Sequence, residues 1–310
     1  MLKNSNKLDL TSSNDISSRW LLKKIGCIPI NSGISGDFLK ELYDTFDICT
    51  NKFEELCDTL KKWELDFAKS EEAQPLGAVR FGMRDKRPKS KTKDQKYYIQ
   101  FGLEYFEWVL DNHEAELKAS PDLHKLFTML QQVDIEAEKI FTEQSRVLLG
   151  GFKDKRNTLT YSYKAKPRIP VSLRLLCYEE SGVCNTRPHY DKAAFGLLFS
   201  SDDKRDAECL LVSPADNSEF SLDKLKQVER PQVNDSTEST AVLIAGSLLE
   251  HLDMPVAPTA HLVLPHKQRL RHVLVAFCNV PELNPELSRM DCNIMTKDCI
   301  SQEFVNRFKM

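Results

Sequence analysis

The 310-residue chain has no long, uncharged apolar run of the kind that crosses a membrane. Its first twenty residues, MLKNSNKLDLTSSNDISSRW, hold no apolar core of signal-peptide length, so the cytoplasm is the expected compartment. The nine cysteines are scattered, odd in number and free of any CxxC pair. That pattern predicts reduced thiols and argues against a disulfide framework or a cysteine zinc site. No internal repeat recurs at a solenoid period. Excess charge of one sign is also missing. A formal net charge of -3 predicts neither a nucleic acid nor an anionic membrane as partner. Nothing in the pattern sets the oligomeric state.

What is present is ordinary for a soluble globular protein: 41 % hydrophobic and 29 % charged residues, enough for one large domain or two modest ones. The first half reads helical. Phe38, Leu42, Phe46, Phe53, Leu56, Leu60 and Trp63 recur at helical intervals, as two helices broken near Thr50. Asn51 with Glu54 would form a capping box at the second. A basic run from Arg84 to Lys96 reads as a solvated loop, with a nuclear-import signal or phosphate patch as rarer uses. The aromatic stretch Tyr97–Phe106 reads as core that can also border a pocket. A helix is expected around LEYFEWVLDNHEAEL, with His113 and His124 as surface or cap residues. Ser120-Pro121 then opens a long helix with Leu123, Leu126, Leu130, Val133, Ala137 and Ile140 on one stripe, stopped by Gly150 and Gly151.

After Gly151 the period changes. TLTYSYK, VSLRLLCY, HYDKAAFGLLFS, CLLVSP, STAVLIAG, AHLVL and RHVLVAFCN are short, β-rich and separated by turn formers, the spacing of a barrel, sandwich or jelly roll. Cys177 and Cys278 on such strands read as core packing. The polar stretch 214–239 is long for a hairpin and reads as an excursion, a surface loop or a lid.

One predicted strand carries His189 and Asp191, two apart and so on one face. A facial set of two histidines and a carboxylate holds Fe(II) at three of six positions and leaves three open. The third ligand must come from His251, His261, His266 or His272. His261 sits at the start of a predicted strand after a Pro-containing turn. A second His-x-Asp, His251 with Asp253, reads as a turn leaving a strand. His-x-Asp alone is a weak signal.

Four pieces in chain order strengthen it: LRLLCYEE, RPHYDKAAFGLLFSSDD, AVLIAGSLLEHL and APTAHLVLPHKQRLRHVLVAF. In these the chain resembles the isopenicillin N synthase-like branch of the Fe(II)/2-oxoglutarate-dependent dioxygenases, over about the last 45 % of its length. The resemblance implies an α+β fold with a double-stranded β-helix (jelly-roll) core, preceded and flanked by helices. Residues 1–150 would be a helix-rich N-terminal region, 151–285 the catalytic core, and 286–310 a C-terminal segment with a short helix. It implies iron on His189, Asp191 and His261. It also implies 2-oxoglutarate as co-substrate, with Tyr178 and Arg271 or Arg269 at its carboxylates. Arg271 and Arg269 lie two apart on one predicted face, and a bidentate Arg–carboxylate pair suits the task. The implied partners are a small organic substrate and O2, and the implied outcome is hydroxylation, desaturation or ring closure.

Two departures matter. Val273 stands where the family has a Ser two after the Arg, and Leu176 where it has an Asn two before the Tyr. They keep open an oxidase that binds substrate directly to iron without 2-oxoglutarate. A catalytically inactive binding module on the same fold is the remaining alternative.

Overall fold

The computed structural model describes residues 18–71, 82–85, 96–149, 159–179, 186–199, 210–216, 219–228, 240–254, 256–264, 270–280, 292–294 and 307. Helix α1 (Ser18–Ile25) leads into strand β1 (Ile28–Asn31), then α2 (Gly36–Thr50) and α3 (Phe53–Ala68). Strands β2 (Gly82–Asp85) and β3 (Lys96–Gly102) precede α4 (Leu103–Asn112), α5 (Glu114–Ala119) and the long α6 (Pro121–Leu149). Then come β4 (Tyr161–Tyr163), β5 (Lys166–Arg168), β6 (Val171–Glu179), β7 (Thr186–His189), β8 (Phe195–Phe199), β9 (Leu210–Val212), β10 (Lys226–Gln227) and β11 (Thr240–Ala245). Helix α7 (Ser247–His251), β12 (His261–Val263) and β13 (Leu270–Cys278) complete the described elements.

The strands form a seven-stranded sheet in the order β1-β11-β8-β13-β6-β3-β2, a four-stranded sheet in the order β10-β9-β12-β7, and the β4–β5 hairpin. The pairings in all three are antiparallel. The spine is the nine-residue pairing of β13 with β6, from Leu270 opposite Glu179 to Cys278 opposite Val171. Alternation sends Leu173, Leu175, Cys177, Leu274, Ala276 and Cys278 to one face, where they join α2, α4 and α6 in the main core. The opposite face carries Leu176, Tyr178, Val273, Val275 and Phe277, which cluster with Leu210, Leu211, Val212, Leu262 and Val263 of the smaller sheet. The large sheet is therefore covered on both sides. That is why β11 and β13 read as nearly continuous apolar runs rather than as clean alternation.

The first half is less purely helical than its periodicity predicts, since β1, β2 and β3 all join the large sheet. Burial on that sheet, not local propensity, decides their conformation. Helices α2 and α3 form on either side of Thr50 as expected, but the capping box does not. Lys52 is the N-cap of α3 with no side-chain cap bond, and Asn51 instead closes α2 with its N–H on the Asp47 carbonyl. The helix expected over LEYFEWVLDNHEAEL is split at His113. His113 is a cap residue as expected, the C-cap of α4 and N-cap of α5, and it is packed rather than superficial, its ring stacked 5.1 Å from that of Trp63. The long helix starts at Pro121 and ends at Leu149, and the two glycines expected to stop it lie outside the described residues. So do most of the basic run and most of the C-terminal segment. The excursion is partly structured, with a 3-10 turn at Leu222–Lys224 and β10 paired to β9. Among the described residues no helix is long and apolar enough to cross a membrane.

Candidate metal centre

His189 is the last residue of β7 and lies directly opposite His261, the first of β12, in the antiparallel register. That pairing sets the two rings 4.2 Å apart, centroid to centroid. Asp191 is not on the His189 strand as expected. β7 ends at His189, and Asp191 enters the turn that leads to β8. The shared direction of the two side chains is thus set by the turn and not by strand alternation.

The turn is fixed from outside. The Ser247 backbone N–H and its hydroxyl both donate to the Asp191 carbonyl, each at 2.8 Å. Gly246 packs so tightly below it that a Cβ there would lie 1.9 Å from the Ala193 carbonyl oxygen. A Cβ on Gly196 would lie 2.7 Å from Asp191 Oδ2, so the carboxylate occupies space that only glycine leaves open.

Both imidazoles are oriented by backbone carbonyls two residues earlier. His189 Nδ1 lies 2.8 Å from the Arg187 carbonyl and His261 Nδ1 3.3 Å from that of Thr259. A carbonyl only accepts, so each Nδ1 carries the proton and each Nε2 is left with a lone pair. His189 Nε2 lies 3.6 Å from Asp191 Oδ1, and His261 Nε2 3.9 Å from Asp191 Oδ2. Those gaps are too wide for good hydrogen bonds. They suit three donors around one ion held at about 2.0–2.2 Å from each. The three ligand atoms lie within 4.8 Å of one another, and this is the one such group of His, Cys, Asp or Glu among the described residues.

Electrostatics agree with the geometry. Burial alone would raise the Asp191 carboxyl, but His261, His189 and Arg174 outweigh it and hold it at about 2. Burial, helped by His189 and opposed by Asp191, pushes His261 down to about 4. At neutral pH the site presents a carboxylate and a neutral imidazole, the forms that bind a metal. The donor set is hard oxygen with borderline nitrogen, which fits a divalent first-row metal and matches the two-histidine, one-carboxylate triad of non-haem Fe(II).

Between the two sheets a cavity of about 60 Å³ adjoins the three ligands, its wall including Arg174, Tyr178, Thr186 and Val273. The Tyr178 hydroxyl shares a hydrogen bond of 3.2 Å with Thr186 Oγ1. Arg271 is placed by its backbone directly opposite Tyr178, and Val273 opposite Leu176. Arg269 and His266 lie outside the described residues. His251 and Asp253 are not part of the triad. The first ends α7, and the second sits in a turn at φ +53°. His272 faces away from the cavity, stacked on Tyr43, with Nε2 2.8 Å from Asp47 Oδ1, a close ion pair off the line of a hydrogen bond. Burial opposes its charge, but Asp47 and Cys177 outweigh burial and raise it to about 10. A larger cavity of about 740 Å³ lies beside Tyr190, bounded by Phe220, Glu250 and Met254, and none of the three ligands lines it.

Arg174 drew no notice in the sequence; Gly196 and Gly246 fall in the matched pieces, but their close packing against Asp191 and Ala193 is not legible there. The signal for Arg174 was available: it shares the i, i+2, i+4 face of β6 with Leu176 and Tyr178.

No protein-family model matches the chain, and no curated protein does. Solved structures do. A dioxygenase for auxin oxidation from rice superposes with a TM-score of 0.51 at 13 % identity, over 84 % of this chain and 76 % of that one. The Arabidopsis thaliana dioxygenase for auxin oxidation 1, solved as a binary complex with 2-oxoglutarate, gives 0.50 at 14 % identity, over 96 % and 98 %. JOX2, solved with 2OG, Fe and JA, gives 0.50 at 13 % identity, over 84 % and 69 %. The chain shares its fold with these dioxygenases, two of which were solved with 2-oxoglutarate.

Proposed function

We propose that the protein is a non-haem Fe(II)- and 2-oxoglutarate-dependent oxygenase of a small organic substrate. The observation that carries this reading is the convergence of His189, Asp191 and His261, with both Nε2 lone pairs and an ionised carboxylate turned to one point. On this reading strands β6 to β13 of the two facing sheets form a double-stranded β-helix within residues 151–285, and residues 1–150 extend the large sheet with β1, β2 and β3 and buttress its outer face with helices. Bound at the triad together with 2-oxoglutarate, Fe(II) would supply O2 activation coupled to decarboxylation of the keto acid, and through it hydroxylation, desaturation or ring closure.

The chain's own residues have three tasks. His189 and His261 ligate through Nε2 while their Nδ1 protons stay on the Arg187 and Thr259 carbonyls, which keeps ring and tautomer fixed. Tyr178 and Thr186 line the same cavity as the triad, Arg271 is placed by its backbone opposite Tyr178, and the three would take the far carboxylate of the keto acid at that end. A bidentate guanidinium suits it, and the hydroxyl pair offers a further donor. Between the two ends Leu176, Leu198, Val273 and Val275 form apolar walls that exclude water from the reacting centre. Val273 opposite Leu176 replaces two polar partners by packing, so the far carboxylate would depend on Arg271 and Tyr178.

The test is release of succinate from 2-oxoglutarate by the purified protein. Succinate that forms only with Fe(II) and O2, and not in His189→Ala, supports the reading. Activity with substrate, Fe(II) and O2 in the strict absence of 2-oxoglutarate would overturn the co-substrate assignment.

A further inference from the structure

Arg174 is a fixed cation in the cavity that helps keep Asp191 ionised and to which the oxygenase reading gives no ligand of its own. It projects from β6 on the cavity face, opposite Val275 on one side and Gln100 on the other. Its guanidinium lies 4.9 Å from the ring centroids of both Tyr98 and Phe277. Nε and Nη2 donate to Gln100 Oε1 at 3.1 and 2.9 Å, and Gln100 is held in turn by a bond from its Nε2 to Ser172 Oγ at 3.2 Å. This clamp fixes the plane of the fork and spends one edge of it. Nη1 has no protein partner among the described residues, and no carboxylate there pairs with Arg174. A part-buried guanidinium without a counter-ion is costly unless a ligand completes it.

Position decides which ligand. Tyr178 is four residues along the same strand, so the two backbone positions are about 13 Å apart. Arg174 sits at the metal end. Phe277, which stacks on it, pairs with Gly196, over which the Asp191 carboxylate lies. Charge counting points the same way. With neutral imidazoles, a divalent ion, Asp191, a doubly charged keto acid and Arg271 leave no net charge. Arg174 then adds one positive charge that nothing neutralises.

We infer that Arg174 is the seat for the carboxylate of the primary substrate, which makes the substrate class small monocarboxylic acids. This rests on the oxygenase reading. A carboxylate at this seat could also be the metal-proximal group of the keto acid itself, and the experiment separates the two sources.

The anaerobic protein loaded with Fe(II) and 2-oxoglutarate is titrated with phenylacetate and, separately, with phenylacetamide, reading the shift of the visible charge-transfer band. The acid is expected to bind at least about tenfold tighter than the amide, the worth of one charge-assisted hydrogen bond. R174Q is expected to abolish that preference and leave 2-oxoglutarate affinity unchanged. R174K, which keeps the charge and loses the fork, should retain part of it. Should R174Q not fold, Gln100→Leu removes the clamp and is expected to weaken the acid in the same direction. Equal binding of acid and amide to the wild type overturns the inference. So does an R174Q protein whose loss falls on 2-oxoglutarate, which would hand Arg174 to the keto acid. A wild type that forms no band at all overturns the oxygenase reading first, and this inference with it.

Discussion

Two places in the molecule bury carboxylates, and burial has opposite outcomes in them. At the metal centre Asp191 is held at about 2 because it faces His261, His189 and Arg174. On the helical side Asp134 of α6 is fully buried, and neither carboxylate oxygen has a hydrogen-bond partner among the described residues. Its surroundings are Glu104, Glu138 and Glu107, with Arg168 as the opposing charge, and burial with Glu104 raises it well above the usual range. Glu104 itself is pushed up to about 7, by burial first. Both sites remove solvent, and the sign of the neighbours then decides. Asp191 is an ionised donor awaiting a cation, whereas burial and like charge press Asp134 towards its protonated form.

The contrast can be broken most severely at the metal side. Asp191→Asn removes the charge that favours a divalent ion and is expected to cost more than about 100-fold in Fe(II) affinity, beyond the loss of an outer partner. Equilibrium dialysis checks it, and metal uptake equal to wild type would refute the ligand assignment. Asp134→Asn, by comparison, is expected to leave Fe(II) binding untouched. Gly196→Ala sharpens the comparison without changing any charge. Its Cβ would fall 2.7 Å from Asp191 Oδ2 and 3.2 Å from Ile244 Cγ1. Fe(II) affinity should drop by about 10- to 100-fold while the melting temperature moves little, because the carboxylate must shift and the fold need not.

On the helical side the largest change comes from the cation. Arg168 lies 3.1 Å from Glu138, 3.8 Å from Glu104 and 3.7 Å from Glu107, with its side chain 14 % exposed. Arg168→Met should destabilise by about 3–5 kcal/mol at neutral pH, the cost of breaking a buried pair. Chemical denaturation at pH 7 measures it, and the loss should shrink at pH 5 as Glu104, pushed up to about 7, takes up its proton.

The smallest predicted effect is a pH slope. Glu104 binds its proton more tightly folded than unfolded. Its contribution is therefore fully present below the ordinary 4.5 and is lost as pH rises towards about 7. Stability should fall across that window by on the order of 3 kcal/mol from this group, and Glu104→Gln should flatten the slope. An unchanged slope in Glu104→Gln would remove Glu104 from the account.

The two regions were not equally legible. The stripe Leu123, Leu126, Leu130, Val133, Ala137 and Ile140 is local and periodic; the first five are buried in α6 and Ile140 is partly buried against the same core. His-x-Asp alone was weak, and His189, Asp191 and His261 could be picked out because four pieces in chain order resemble one family and place them together. That Asp191 lies beyond the strand could not be read, since nothing in YDKAA marks a turn as Gly or Pro would. The turn is held by Ser247, 56 residues away. Strand β3 was hidden because it runs directly into α4, and its place on the large sheet is set by pairing with the distant β6. Arg174 vanished inside LRLLC for a similar reason. Its meaning depends on Tyr98, Gln100 and Phe277, which come from two other strands. The acid cluster around Asp134 drew no attention, because Glu and Asp along a helix look solvated until the packing of α4 against α6 is known.

The most direct measurement is an anaerobic titration of the metal-free protein with Fe(II), then with 2-oxoglutarate, in wild type and Asp191→Asn. The account predicts a visible charge-transfer band that needs both additions and is absent from Asp191→Asn. A wild type that binds neither, or an Asp191→Asn protein with the full band, would contradict it.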